Sequence, residues 1–226
     1  MQYGTVIPGR FLARPNRFIA HVETASGVEI VHVKNTGRCK ELLVPGATVY
    51  LEKGTNPNRK TAYDLIAVEK GDLLINMDSQ APNKVFAEWA ASGEWLPGVQ
   101  RIQPEYRCGE SRLDFGIETE RGLHLVEVKG VTLEDQGAAR FPDAPTERGI
   151  KHIRALQKAV EAGLDATLFF VVQFQNVHSV APNDMTHPAF GQALREAAQG
   201  GVNICAYSCL VTPDSLQIHR SVPVIL

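Results

Sequence analysis

Ser111-Arg112-Leu113-Asp114-Phe115 and Leu125-Val126-Glu127-Val128-Lys129 are the two short runs on which the reading of this chain turns. Each has the apolar, β-branched composition of a strand inside a sheet, yet each carries charge where burial penalises it. Side chains two apart on a strand share a face, so Glu127 and Lys129 point one way while Val126 and Val128 point the other, towards covering helices. Glu120-Arg121-Gly122 lies between the runs and can supply a hairpin turn. With an even loop, Asp114 is expected opposite Lys129 and diagonal to Glu127, all on one face; with an odd loop, Asp114 faces away. Two neighbouring carboxylates repel unless a cation lies between them, and oxygen donors with room for water suit Mg²⁺ or Mn²⁺. Such an ion polarises a phosphate and acidifies a bound water. Lys129 beside it could position or deprotonate that water and offset charge in the transition state. The competing reading is a structural ion pair on an edge strand.

Working outward, residues 9–75 read as β structure: Phe18–Glu23, Glu29–Lys34, Ala47–Glu52 and Tyr63–Glu69 are short alternating or β-branched runs, and Leu73–Asn76 adds another. Ser26-Gly27, Pro45-Gly46 and Asn56-Pro57-Asn58 separate them as turns. Several short strands in so few residues suggest an OB-like barrel. From Ala81 the pattern changes. A helix is expected from about Pro82 or Asn83 to Trp89, then strands around Glu105–Cys108, Ser111–Thr119 and Leu123–Val131. A loop over Glu134–Ala144 leads to an amphipathic helix, Pro145–Ala162, with Ile150, Ile153, Leu156 and Val160 on one face, Asp143 as its cap and Gly163 as its stop. A buried apolar strand over Ala166–Gln173, a helix over Phe190–Gln199 and a strand over Val202–Leu210 complete a mixed α/β region. The fold class is therefore α+β in two domains, a barrel over residues 1–80 and a mixed α/β domain over 81–226.

With 226 residues, 44% hydrophobic and 21% charged, the chain fits an ordinary globular protein. It has no apolar run near the ~18 residues a membrane helix needs, and Met1–Val6 lacks the charged and apolar regions of a secretory leader, so a cytoplasmic protein without a membrane partner is expected. The cysteines form no Cys-x-x-Cys pair and read as small buried hydrophobes, not a zinc site. The net charge of −2 is uneven: residues 1–60 carry nine Lys and Arg against four Glu, and the remainder is net acidic. A basic first quarter beside an acidic remainder suggests one part gripping phosphates and another holding cations.

Further residues are candidates for the same chemistry. Glu88 or Glu105 could supply a third carboxylate. Arg148 and His152 lie one helical turn apart, off the Ile150/Ile153 stripe, and could reach phosphate. In the barrel, Arg10, Arg14, Arg17 and Phe18, with Asn35-Thr36-Gly37-Arg38, mix cations, amides and an aromatic, as nucleic-acid-binding OB barrels do.

These stretches together resemble the sugar fermentation stimulation protein A family. The resemblance is carried by Arg14–Ala20, Val33–Arg38, Glu41–Gly46, Arg59–Tyr63, Ser111–Phe115, Val126–Leu133 and Phe141–His152, in family order along nearly the whole chain. It implies an N-terminal OB domain and a C-terminal domain of the PD-(D/E)xK nuclease type, with Asp114, Glu127 and Lys129 on the nuclease-type motif. The Val128 backbone carbonyl is then a candidate metal donor, and Arg112 joins the candidate DNA contacts. The resemblance also implies DNA binding without strong sequence preference and a role in regulating sugar metabolism, maltose in particular. The expected function is a DNA-binding protein with an Mg²⁺- or Mn²⁺-dependent phosphodiesterase site, RNA being a further possible partner; the alternative is a non-catalytic DNA-binding regulator. Two departures from the family pattern, Lys34 before Asn-Thr-Gly and Pro145 before Thr146, lie outside the Asp114, Glu127 and Lys129 triad.

Overall fold

A computed structural model describes residues 1–35 and 37–226; Thr36, within the Asn35–Arg38 stretch, lies outside them. The chain opens with strands β1 (Val6–Asn16), β2 (Ile19–Thr24), β3 (Gly27–Val33), β4 (Thr48–Lys53), β5 (Tyr63–Lys70) and β6 (Leu73–Asn76). They lie in the order β3-β2-β1-β4-β5-β6, and a short parallel pairing of β3 with β5, His32 with Asp64 and Val33 with Leu65, closes the first five into an OB-like barrel. Inward-facing Phe11, Ala20, Val22, Val31, Val49, Leu51 and Leu65 fill it, as the alternation of each strand requires.

The second part contains α1 (Ala81–Ala91), β7 (Val99–Cys108), β8 (Ser111–Thr119), β9 (Gly122–Val131), β10 (Leu133–Asp135), β11 (Ala138–Phe141), α2 (Glu147–Glu161), β12 (Asp165–Val172), β13 (Ser179–Pro182), α3 (Pro188–Gln199), β14 (Asn203–Thr212) and β15 (Ser215–Val222). The main sheet runs β15-β14-β12-β9-β8-β7. Its centre is parallel, β12 lying between β9 and β14, and its outer pairs are antiparallel. Alternation along β12 divides the core. Leu168 and Phe170 pack with Ile153 and Leu156 of α2 and with α3 on one face, while Phe169 and Val171 meet Val85 and Phe86 of α1 on the other. This is why the whole run from Ala166 to Val172 is buried.

The expected loop over Glu134–Ala144 instead holds β10 and β11, which pair with each other and with β13 as a small second sheet. Helix α2 is capped by Thr146, not Asp143: the Thr146 hydroxyl accepts the Gly149 amide at 3.0 Å. It satisfies one of the free N–H groups of the first turn and leaves Pro145 in the approach. Gly163, at φ +83°, takes the left-handed position that ends the helix.

The two parts meet in a polar seam. The buried Gln173 amide donates to Asn76 Oδ1 at 2.9 Å and to the Asp78 carbonyl at 3.0 Å, and the Asn76 amide donates back to the Gln173 carbonyl at 2.9 Å. Lys70 pairs across the seam with Glu134 at 2.5 Å, and on its barrel side Lys34 pairs with Asp78 at 2.8 Å. Beneath the seam one apolar cluster runs from barrel residues such as Phe11 and Met77 to Val131 and Phe174.

Candidate active site

The β8–β9 hairpin sets the geometry. Thr119 pairs with Gly122, so Glu120-Arg121 form a two-residue, even turn. Gly122 follows it at φ +119°, a conformation that favours glycine. The turn is thus centred one residue earlier than expected, and continuing the register of Phe115 with Val126 sets Asp114 level with Glu127, not Lys129. The expected face-sharing of Asp114 with Glu127 holds, through a different partner.

Beyond Phe115 the Asp114 carboxylate takes over from the backbone ladder. Its Oδ2 accepts the Val128 amide at 2.8 Å and its Oδ1 accepts the Asn83 side-chain amide at 2.9 Å. Gly130 allows the close approach here: a methyl group on it would lie 2.6 Å from both Pro82 Cγ of α1 and Gln173 Oε1.

Glu127 is 1% exposed. Its Oε1 accepts from Lys129 Nζ and from His152 Nδ1, both close. An ionised carboxylate can only accept, so His152 carries a proton on Nδ1; Nε2 then accepts the Arg148 Nε–H at 3.4 Å. Glu127 Oε2 is buried and has no hydrogen-bond partner among the described residues. The two carboxyls are driven apart. Burial and then the nearby Glu127 charge push the Asp114 carboxyl up. Burial also pushes Glu127 up, but its bonds to His152 and Lys129 outweigh it and hold that carboxyl below the usual range. Neighbouring carboxyls with opposite shifts are a recurrent feature of catalytic sites. Those two side chains could hold a cation. Among the described residues no group of three His, Cys, Asp or Glu side chains forms a ready metal cage.

A cleft of about 350 Å³ opens beside the site, bordered by Asn35 and Gly37 of the barrel and by Gly130, Thr132 and Thr146 of the α/β part. Several other sequence candidates lie away from it. Glu88 sits on α1 and pairs with the Met1 amine at 2.7 Å. Glu105 is exposed and pairs with Arg112 at 3.4 Å, which occupies both. His152, read from the sequence as a phosphate contact, is buried against Glu127; Arg148 beside it is exposed.

In the barrel, Arg10 is tied to Glu23 at 2.6 Å. The Arg14 guanidinium donates to the carbonyls of Arg17, Asn35, Gly37 and Arg38 at 2.7–3.0 Å, fastening the loop instead of facing outward. Asn35 folds inward, its amide on the Met77 carbonyl and its Oδ1 accepting the Gly37 amide. Arg17, Phe18 and Arg38 are exposed. Sequence reasoning missed Asn83, which it took only for a helix-start residue, and the role of His152. A histidine on the inner side of the helix that follows a Glu-x-Lys strand was the available signal.

An OB barrel joined to a mixed α/β domain, with two carboxylates, a lysine and a histidine gathered on one sheet face, defines a class of two-domain proteins with a charged site beside their interdomain cleft. Residues 80–215 match the model of the sugar fermentation stimulation protein RE domain, and residues 12–77 that of the SfsA N-terminal OB domain. The chain belongs to the sugar fermentation stimulation protein family. It is 52% identical over its whole length to a sugar fermentation stimulation protein homolog of Clostridium beijerinckii, covering 100% of both chains. It is 54% identical to one of Desulfitobacterium hafniense, covering 96% of this chain and 95% of that one. The structure of Pyrococcus furiosus SfsA, described as a complex with Ca²⁺, superposes with a TM-score of 0.87 at 30% identity, covering 100% of this chain and 98% of that one. No helix among the described residues is long and apolar enough to cross a membrane.

Proposed function

We propose that this protein is a divalent-metal-dependent phosphodiesterase acting on nucleic acid, with Asp114, Glu127 and Lys129 as its reactive residues. The observation that carries this reading is the buried Glu127 carboxylate, whose partners among the described residues both crowd Oε1 while Oε2 has none there. A buried carboxylate oxygen without a partner costs stability, and a cation is the ligand that would offset the cost. The donor set fits the ion: Asp114 and Glu127 offer hard oxygens suited to Mg²⁺ or Mn²⁺, the Val128 carbonyl directly follows Glu127 in the chain, and a relative has been seen with Ca²⁺. Those residues would hold the metal, which when bound supplies Lewis acidity towards a phosphate and a more acidic water.

The protein's own groups do the rest. Asn83 and the Val128 amide fix the Asp114 carboxylate, so it need not reorganise when charge arrives. His152 holds Glu127 in one rotamer and Arg148 holds the His152 tautomer, a relay of orientation from α2 to β9. Lys129 places its side-chain nitrogen beside the carboxylates, where it can orient a nucleophilic water or offset charge on the phosphate. Without metal, the carboxylates would repel a phosphate backbone, so a site serving binding alone gains nothing from them. Exposed Arg17, Phe18 and Arg38 on the barrel would contact the polynucleotide through backbone charge and stacking.

The test is incubation with labelled single-stranded, duplex and flap DNA and with RNA, plus Mg²⁺ or Mn²⁺, with Glu127→Gln as control. Metal-dependent cleavage lost in Glu127→Gln supports the reading. Equal cleavage by both overturns it, and binding without any cleavage leaves a DNA-binding regulator of sugar metabolism in its place.

A further inference from the structure

Between α2 and the β7–β8 turn lies a trough of about 420 Å³. Cys108, Ala155, Ala159 and Leu164 give it an apolar wall, and Lys151 and Lys158 stand on its α2 rim. Both lysines are exposed and make no ion pair among the described residues. Arg154, between them, is taken by Glu196 at 2.6 Å and Gln157 at 2.9 Å. Glu110 at the opposite lip is acidic, which confines the anion-seeking side to α2. The rim is continuous with the site already described. Arg148, Lys151 and Lys158 follow one another along a helix that rises about 15 Å over those ten residues, and Arg148 touches His152.

Apolar walls edged by free cations suit a ligand with a flat apolar body and an anionic frame. Resting on the phosphodiesterase reading, we infer that the trough receives one unstacked base of a nucleic-acid strand whose phosphates run along Arg148, Lys151 and Lys158 towards Glu127. A base inside a duplex has both faces stacked and cannot enter, so the preferred substrate is a single strand or a duplex with an unpaired end. The base would be gripped by van der Waals contact and the strand by charge, the division of labour usual for single-strand binding.

Cys108 lines the trough and is partly exposed; Cys39 and Cys209 are buried, and Cys205, partly exposed but outside the trough lining, serves as the internal control. The Lys129→Ala protein, which keeps the carboxylates but should not cut, is mixed with Mg²⁺ and a saturating oligonucleotide, and alkylation is followed site by site by mass spectrometry. Single strands should slow alkylation of Cys108 at least severalfold, blunt duplex should not, and Lys151→Glu with Lys158→Glu should abolish the protection. Ala162→Trp, from an exposed position at the mouth, should weaken single-strand affinity severalfold and spare duplex affinity. Strand binding measured by anisotropy with unchanged Cys108 alkylation would overturn this inference alone. Failure to bind any nucleic acid would overturn it together with the phosphodiesterase reading. Protection by a fatty acid and not by the strand would reassign the trough to an acyl chain.

Discussion

Two buried carboxylates in this protein are each clamped by a cation and a histidine, and they differ in one respect. Asp64, in the barrel, is 6% exposed; Arg59 grips both of its oxygens and His32 adds a bond to Oδ1 at 2.9 Å. Glu127, in the α/β sheet, is more deeply buried, yet Lys129 and His152 share Oε1 and Oε2 has no partner among the described residues. The same ingredients give a saturated pair in one place and an unsaturated one in the other. Saturation marks a group that fastens a fold: Asp64 lies where β3 meets β5 and closes the barrel. Unsaturation at higher burial is costly to stability, a cost that the proposed cation would offset.

That contrast can be broken by measurement. The largest expected effect is on turnover: Lys129→Ala should slow metal-dependent phosphodiester cleavage by about 10²–10⁴-fold, the usual range for a positioned proton-handling or charge-stabilising group. Arg59→Ala should leave single-turnover cleavage near wild type, and equal losses in both would erase the distinction. Next, Mg²⁺ or Mn²⁺ at a hundred times its dissociation constant should stabilise the wild-type protein by about 2.7 kcal/mol, seen as a rise in melting temperature that EDTA reverses. Asp114→Asn with Glu127→Gln should lose that rise, while Asp64→Asn should keep it in full.

Stability comes third. Asp64→Ala removes hydrogen bonds to charged groups and should lower unfolding stability by about 1.5–3 kcal/mol in urea titrations. The same residue gives a pH signature. Burial pushes the Asp64 carboxyl up, but Arg59 and His32 outweigh it and hold it below its ordinary value of 3.8. Its stabilisation is therefore complete above that value and lost as pH falls through the lower folded one. Stability between roughly pH 5 and pH 2, the window for a depressed carboxyl, should fall less steeply for Asp64→Asn than for wild type. The smallest effect is on the grip: Arg17→Ala should reduce the salt slope of DNA binding by about 1, whereas Arg14→Ala should act through loop disorder, detected as lost amide-exchange protection around Gly37.

Much of this was legible in the chain itself. The β8–β9 hairpin and its charged face followed from alternation, and the barrel from short strands between turns. What escaped has identifiable causes. Strand β1 hides behind Pro8, Gly9 and Pro15 and behind its arginines, so no apolar alternation announces it. Strands β10, β11 and β13 have three or four residues each and depend on pairing with one another. The barrel's positive charge suggested a phosphate grip, but sequence cannot say which cations are already engaged: Arg10, Arg14, Lys34 and Arg59 all are. His152 lay off the apolar stripe of α2 and so looked outward; a helix lying across a sheet buries a wider arc than its stripe, and the charge on Glu127 gave that histidine a partner inside.

The polar seam and the apolar cluster beneath it should couple the two parts of the chain in unfolding. With Gln173 bonded into the Asn76–Asp78 stretch and Met77 packed in the same cluster as Phe174, neither half can melt without exposing the other. Unfolding should therefore be a single transition, and ligand energy delivered at Glu127 should be felt in the barrel. A cation bound on the sheet would raise the melting temperature reported by a probe on β2, well outside its own coordination sphere.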